Sequence, residues 1–287
     1  MANQQDRSND PATTDSTDDS PIVRAENTPA QESSAKPFYS VLVLAFVCSA
    51  LVAGAAVGLR PKQEANRLLD RKKNILIAAG LYRETEPIDK LFAPIEARLI
   101  DLATGKFVES NDLNPKTYNQ VKSALTRDGG RMLGREEDIA RLGHLEKYGV
   151  VYLVKQGNRV EQYVLPVRGK GLWSTMYAYV ALDADLSTIR GVSFYEHGET
   201  PGLGGEIENR KWQSGWRGKK IYDSSGKQGL KIVKGKAATS GDETIYQIDG
   251  LSGATLTAKG VNNLMEFWFG DHGYKPFFET IKKQLKG

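Results

Sequence analysis

The stretch Val150 to Val167, VVYLVKQGNRVEQYVLPV, decides the fold class. Two runs rich in Val, Leu and Tyr flank Lys155–Asn158, KQGN, and a Gly-containing turn between β-forming runs predicts a hairpin of antiparallel strands. Further strand candidates follow: MYAYVALD (176–183), IRGVSFYE (189–196), LKIVK (230–234) and TIYQID (244–249), each bounded by Gly, Asp or Ser. Upstream, IDKLFAPIEARLIDLATG (88–105) reads as a helix running into a strand. These strands do not alternate regularly with helices, which argues against a doubly wound parallel sheet. The expected class is α+β, with a mostly antiparallel sheet and helices at its margins.

Toward the N-terminus, Phe38 to Leu59, FYSVLVLAFVCSALVAGAAVGL, runs 22 residues without a charge. At about 1.5 Å per residue it spans roughly 33 Å, the thickness of a bilayer core. It is too long and too far from the start for a signal peptide, so a single membrane anchor is expected. Residues 1–36 are rich in Asp, Ser, Thr, Asn, Gln and Pro and predict a disordered acidic tail. There, Arg7, Arg24 and Lys36 stand against seven acidic residues, a net −4, leaving about +8 for the rest of a chain at +4. That excess is too dispersed for nucleic acid but suits an acidic partner or an anionic membrane face. The sole cysteine, Cys48, lies within the span, so no disulfide forms within one chain. Arg60, Lys62, Arg67, Arg71, Lys72 and Lys73 follow the span, and the positive-inside rule would keep that side in the cytoplasm. The segment NRLLDRKKNILIAAGLY (66–82) reads as an amphipathic helix near the membrane surface. The expected organisation is a tail (1–36), a transmembrane helix (37–59), a membrane-proximal mixed region (60–148) and a ligand-binding domain (149–287).

Toward the C-terminus, LTAKGVNNLMEFWF places Val261, Leu264, Met265 and Trp268 at i, i+3, i+4 and i+7, the apolar face of a helix, with Thr257 as its expected N-cap. FFETIKKQLKG predicts a short closing helix. Many catalytic signatures are missing. No phosphate loop is present, and GLGGEI puts Ile207 where a dinucleotide fingerprint needs Gly. His144, His197 and His272 lack metal-ligand spacing and read as surface or structural residues. No G-x-S-x-G or Ser/His/Asp set occurs, so neither catalytic nor metal-ligating residues are assigned.

Two features remain. EHGETPGLGGE (196–206) follows a strand candidate, and its glycines either shape a surface turn or let backbone approach a flat ligand. DGLSGATLT (249–257) enters the penultimate helix, where Gly253 and Ala254 clear space around the Thr255 hydroxyl. A phosphate on Thr255 would meet the free amides and positive end of that helix. The same residues also suit a plain capping loop.

DGLSGATLT resembles the flavinylation motif of covalent FMN-binding domains in respiratory membrane complexes, and ETPGLG resembles a loop near the flavin in that family. Within it, KNILIAAGL, ARLIDLATG, GLWSTMYAYVALD and EHGETPGLGGEIEN are similar to the C subunits of sodium-translocating NADH:quinone reductases, from about residue 38 to the end. The resemblance implies FMN joined to Thr255 by a phosphodiester, installed from FAD by a Mg-dependent flavin transferase. It places Ser252, Gly253, Ala254, Leu256 and Thr257 beside the attachment point, and Glu199, Thr200, Pro201, Gly202, Leu203 and Gly204 near the flavin. Leu172 and Trp173 are expected against the ring, with Ser174 and Thr175 offering hydrogen bonds, although core packing is the role favoured for Trp173 by residue type. The chain would then be an electron relay between neighbouring subunits of an oxidoreductase complex, because no nucleotide fold is present to take hydride from NADH. The uncharged span argues against its being the ion channel itself. The resemblance also implies a bacterial inner-membrane location with the soluble domain in the periplasm, against the charge rule, which is weak for large domains. The alternatives are the flavin subunit of Rnf-type electron-transport complexes, or a membrane-anchored assembly module without redox chemistry.

Overall fold

A computed structural model describes residues 35–110 and 112–286. All but the last two positions of the expected tail 1–36 lie outside the described residues. Two compact units divide the chain, Met1–Arg60 and Pro61–Gly287.

Helix α1 (Ala35–Ala78) opens the described chain and contains the apolar stretch. It is the one described helix long and apolar enough to cross a membrane, and the side chains of residues 38–59 are exposed. The separate amphipathic helix expected over residues 66–82 is a correction: these residues continue α1 to Ala78, then leave it at Gly80, whose φ of +70° favours glycine. Pro61 lies inside the helix at this junction and removes one backbone donor, yet Lys62, Gln63, Glu64 and Ala65 after it all favour helix and α1 runs on through them.

In the second unit, α2 (Ile88–Phe92) leads into β1 (Ile95–Asp101) and the two-residue β2 (Phe107–Val108). Then come α3 (Gln120–Ala124) and the small hairpin of β3 (Gly130–Met132) with β4 (His144–Glu146). The long strands are β5 (Tyr148–Gln156), β6 (Arg159–Lys170), β7 (Thr175–Asp183) and β8 (Ile189–Glu196). After α4 (Arg210–Ser214) come β9 (Lys231–Ile232), β10 (Gln247–Ile248), α5 (Thr255–Trp268) and α6 (Lys275–Lys286).

Six strands form the main sheet in the order β2-β1-β5-β6-β7-β8, every neighbouring pair antiparallel. The expected α+β class therefore holds. The opening hairpin is tighter than KQGN: Gln156 pairs with Arg159, leaving Gly157-Asn158 as its loop, with Gly157 at φ +60°. β1 pairs with β5 along seven residues, so the sheet draws strands from both sides of residue 149. LKIVK and TIYQID contribute only two residues each to a separate pair that runs parallel, which corrects the longer strands expected there. Lys231 in that pair is exposed and β9 contacts α5, so this segment is a strap over the helix rather than a sheet strand.

Both faces of the sheet are covered, which explains why its strands read as near-continuous apolar runs. On one face Val151, Leu153, Leu165, Val180 and Phe194 pack with Val261, Leu264, Met265 and Trp268 of α5 and with Phe277 and Phe278 of α6. Their neighbours Val150, Tyr152, Val154, Val164 and Tyr179 turn to the other face, against Ile75 and Leu76 at the end of α1. The predicted apolar stripe of α5 thus meets β6. The two approach so closely at Gly169 that an added Cβ would lie 2.9 Å from Leu264 Cβ. This contact sets the position of the α5 N-terminus over the β6–β7 loop.

Candidate functional site

Three segments converge at that N-terminus: the β6–β7 loop (171–174), the loop after β8 (197–203) with the 3-10 helix Gly204–Glu208, and the first turn of α5. Glu199 joins them. It is only 4% exposed. Its Oε1 accepts the backbone amides of Trp173 at 2.9 Å and Ser174 at 3.2 Å. Oε2 accepts the Leu172 amide at 3.1 Å and the Thr257 hydroxyl at 2.6 Å. In return, the Gly198 amide donates to Ser174 Oγ. Burial acts to raise the Glu199 pKa, but the hydrogen bonds from Thr257, Trp173, Ser174 and Leu172 outweigh it and hold the carboxyl below its ordinary value. The group is a charged, fully partnered carboxylate.

The site corrects two expectations, for Thr257 and for Trp173. Thr257 is not the N-cap: α5 begins at Thr255, its N-cap is Ala254, and Thr257 is buried in the first turn. Glu199 lies near the site but its carboxylate is spent within the protein. Trp173 is not a core residue, being 66% exposed on the β6–β7 loop. Glycine explains why these contacts were hidden from pattern reading. A Cβ on Gly204 would lie 2.4 Å from Thr257 Oγ1, and one on Gly171 would lie 2.5 Å from Glu199 Oε1. These two glycines make room for a buried carboxylate and a buried hydroxyl.

The remaining expected residues fall around this clip. Thr200 turns the loop, its carbonyl accepting the amides of Leu203 and Gly205 at 3.1 and 2.8 Å. Pro201 and Gly202 are exposed, Gly202 at φ +75°. Gly253 takes φ +70° beneath Leu203, whose Cδ2 would lie 2.8 Å from an added Cβ. Ser252 is exposed and Ala254 is buried, anchoring the turn through its carbonyl to the Ala258 amide at 3.0 Å. Thr175 opens β7, and its carbonyl accepts from Ser174 Oγ. Leu172, Trp173, Leu203 and Leu256 are all substantially exposed on the joined segments, an apolar rim of a kind that usually signals a ligand or partner.

Thr255 is exposed at the head of α5. No side chain caps that helix, and its first turn holds no acidic residue. Its leading amides are left for an outside acceptor. A cleft of about 710 Å³ takes in Pro201 and Gly202 of the ETPGLG loop together with Asn74, Tyr195 and Gln213, while Thr255 lies on exposed surface. Asp249, at the start of the motif, is tied inward: its carboxylate accepts from Lys236 Nζ at 2.6 Å and the Ala237 amide at 2.8 Å, and its carbonyl accepts Trp212 Nε1 at 2.8 Å. His197 Nδ1 accepts the Glu199 amide at 3.2 Å, a structural role. Sequence spacing carries no signal for the partners of the Asp249 and Glu199 carboxylates, which lie 12 to 58 residues away along the chain.

The comparison that decides kinship is with the C subunit of the Na(+)-translocating NADH-quinone reductase of Pseudomonas aeruginosa, 43% identical over 257 residues, covering 88% of this chain and 98% of that protein. The chain belongs to this NqrC family. The Vibrio parahaemolyticus member is 44% identical over 254 residues, with 88% of this chain and 96% of that protein covered. The crystal structure of Shewanella oneidensis NqrC superposes with a TM-score of 0.70 at 34% identity, covering 76% of this chain and 99% of that one. Residues 171–270 match the family described as FMN-binding domain, an interval that opens on the β6–β7 loop and closes just past α5. The NqrC kinship and the FMN-binding match thus meet on the segments that Glu199 joins.

Proposed function

We propose that the chain is the flavin-bearing subunit of a membrane Na+-translocating NADH:quinone reductase, carrying FMN on Thr255 and relaying electrons between neighbouring subunits. The observation that carries this is the exposed Thr255 hydroxyl on an uncapped helix N-terminus beside an apolar rim. The residues suit the group. The leading amides of α5 favour a phosphodiester anion, and Leu172, Trp173, Leu203 and Leu256 offer apolar surface to a tricyclic ring. In maturation, Thr255 Oγ would serve as the nucleophile toward the FMN-side phosphorus of FAD in a flavin transferase, its Oγ–P bond replacing the pyrophosphate P–O bond, with AMP as leaving group and the hydroxyl proton going to a base of the transferase. Bound FMN supplies one- and two-electron chemistry. The chain's own residues hold it and keep it from diffusing away.

The exposed helix α1 supports anchoring in the bacterial inner membrane, and the family resemblance favours a periplasmic face for the second unit. The 43% identity along 88% of the chain favours this reading over an Rnf-type protein. Mass spectrometry of the chain co-expressed with a flavin transferase is expected to find one FMN on the peptide containing Thr255. A mature chain without that mass, or with it elsewhere, overturns the assignment.

A further inference from the structure

The Glu199 carboxylate offers about four lone-pair sites, and four protein donors occupy them. It has no acceptor capacity left for a ligand, although it belongs to the loop expected nearest the flavin. Its partner Thr257 is 1% exposed and lies two residues from the exposed Thr255. On a helix of 3.6 residues per turn, two positions differ by about 200°. A hydroxyl pinned inward at Thr257 therefore turns Thr255 outward. The same carboxylate fixes the loop that carries Leu172 and Trp173, two members of the apolar rim.

We propose that Glu199 and Thr257 are positioning residues for flavin attachment: their buried bond sets the rotation of the first turn of α5 and the placement of the Leu172–Ser174 loop, so that Thr255 and the apolar rim are presented together. This rests on the reading of Thr255 as the attachment point. The contacts are organised for that task. Glu199 bridges segments 26 and 58 residues away along the chain. The Gly198–Ser174 bond closes the loop pair a second time. Gly171 and Gly204 leave no room for a Cβ where the bridge forms. Thr257→Val keeps the volume and removes the donor, whereas Thr257→Ser keeps the donor.

The test uses the full chain in detergent with a purified flavin transferase, FAD and Mg2+, at a temperature where circular dichroism shows each variant folded. The initial rate of FMN transfer and the hydrogen exchange of the Leu172–Ser174 peptide are measured. Loss of a hydrogen bond to a charged group predicts a rate about tenfold lower in Thr257→Val, with faster exchange in residues 172–174. Thr257→Ser is expected to restore both, which a purely space-filling role for Thr257 does not require. Glu199→Gln, which conserves shape but faces an amide donor with another donor, gives the same comparison if the valine variant does not fold. Wild-type chain labelled at Thr255 with Thr257→Val or Glu199→Gln labelled equally fast overturns the positioning role while leaving the attachment site standing. Wild-type chain that stays unlabelled overturns both.

Discussion

Replacing Arg168 with Met tests how firmly the β3–β4 hairpin is held to β6 and α5. The guanidinium donates to Glu146 Oε1 at 2.8 Å and Oε2 at 2.7 Å and to the His144 carbonyl at 3.2 Å, with Glu146 fully buried. Burial works to lower the Arg168 pKa, and Glu146 outweighs it, so the guanidinium is held charged. The same guanidinium lies 5.5 Å from the ring centroid of Trp268, whose Nε1 donates to the Arg168 carbonyl at 2.7 Å. Arg168 thus couples the β3–β4 hairpin to α5. Removing it leaves the buried Glu146 carboxyl without its ion-pair partner, with Gln120 Nε2 at 2.7 Å as its one remaining side-chain donor among the described residues. Breaking such a pair from one side costs about 3–5 kcal/mol. For a unit of this size 1 kcal/mol moves the melting point by about 2–4 °C, so the expected fall is roughly 6–20 °C. Thermal unfolding of the full chain in detergent, followed by tryptophan fluorescence, measures it. Adding Glu146→Leu to Arg168→Met removes the stranded carboxyl and is expected to recover most of the loss. A single variant melting within about 3 °C of wild type, or a double variant no better than the single, refutes the reasoning.

Other substitutions separate packing, surface and charge. Gly204→Ala pushes a methyl into the Thr257–Glu199 bond and is expected to cost roughly 1–3 kcal/mol by overpacking, read from the same melting curves. Trp173→Ser removes an exposed ring, so stability is expected to stay within about 0.5 kcal/mol, while the absorption and fluorescence of the proposed FMN change; an unaltered flavin spectrum would contradict contact between the Trp173 ring and the flavin. Acid titration is expected to lower the melting point below the ordinary carboxylate range. Glu137 is held down at about 2, first by the hydrogen bond from Arg131, and Glu199 is also held low. A depressed folded-state pKa contributes stability above the unfolded value of about 4.5, which is lost as pH falls toward about 2. Glu137→Gln is expected to flatten part of that decline.

Patterns of short range were legible. The hairpin turn expected at KQGN, the apolar run of α1 and the i, i+3, i+4, i+7 face of α5 each follow from local spacing, and each appears there, the turn in the tighter form Gly157-Asn158. What was not legible depends on residues brought together from afar. Thr257 is a good N-cap type, yet its hydroxyl is claimed by Glu199 rather than by helix amides, and the helix starts two residues earlier. Trp173 looks like core by composition, but the three amides of its loop are bound inward to a carboxylate, which leaves its ring outside. LKIVK has strand-forming residues, but only Lys231 and Ile232 find a partner strand, and the partner runs parallel. The motif DGLSGATLT marked the place in the fold but not the clip beneath it.

The most direct measurement of the central claim is flavin fluorescence of the full chain on a denaturing gel after co-expression with a flavin transferase, alongside Thr255→Val. A fluorescent wild-type band and a dark, equally abundant Thr255→Val band are predicted, because only a covalent bond survives denaturation. A dark wild-type band, or a variant that fluoresces equally, would contradict the assignment of Thr255 as the point of attachment.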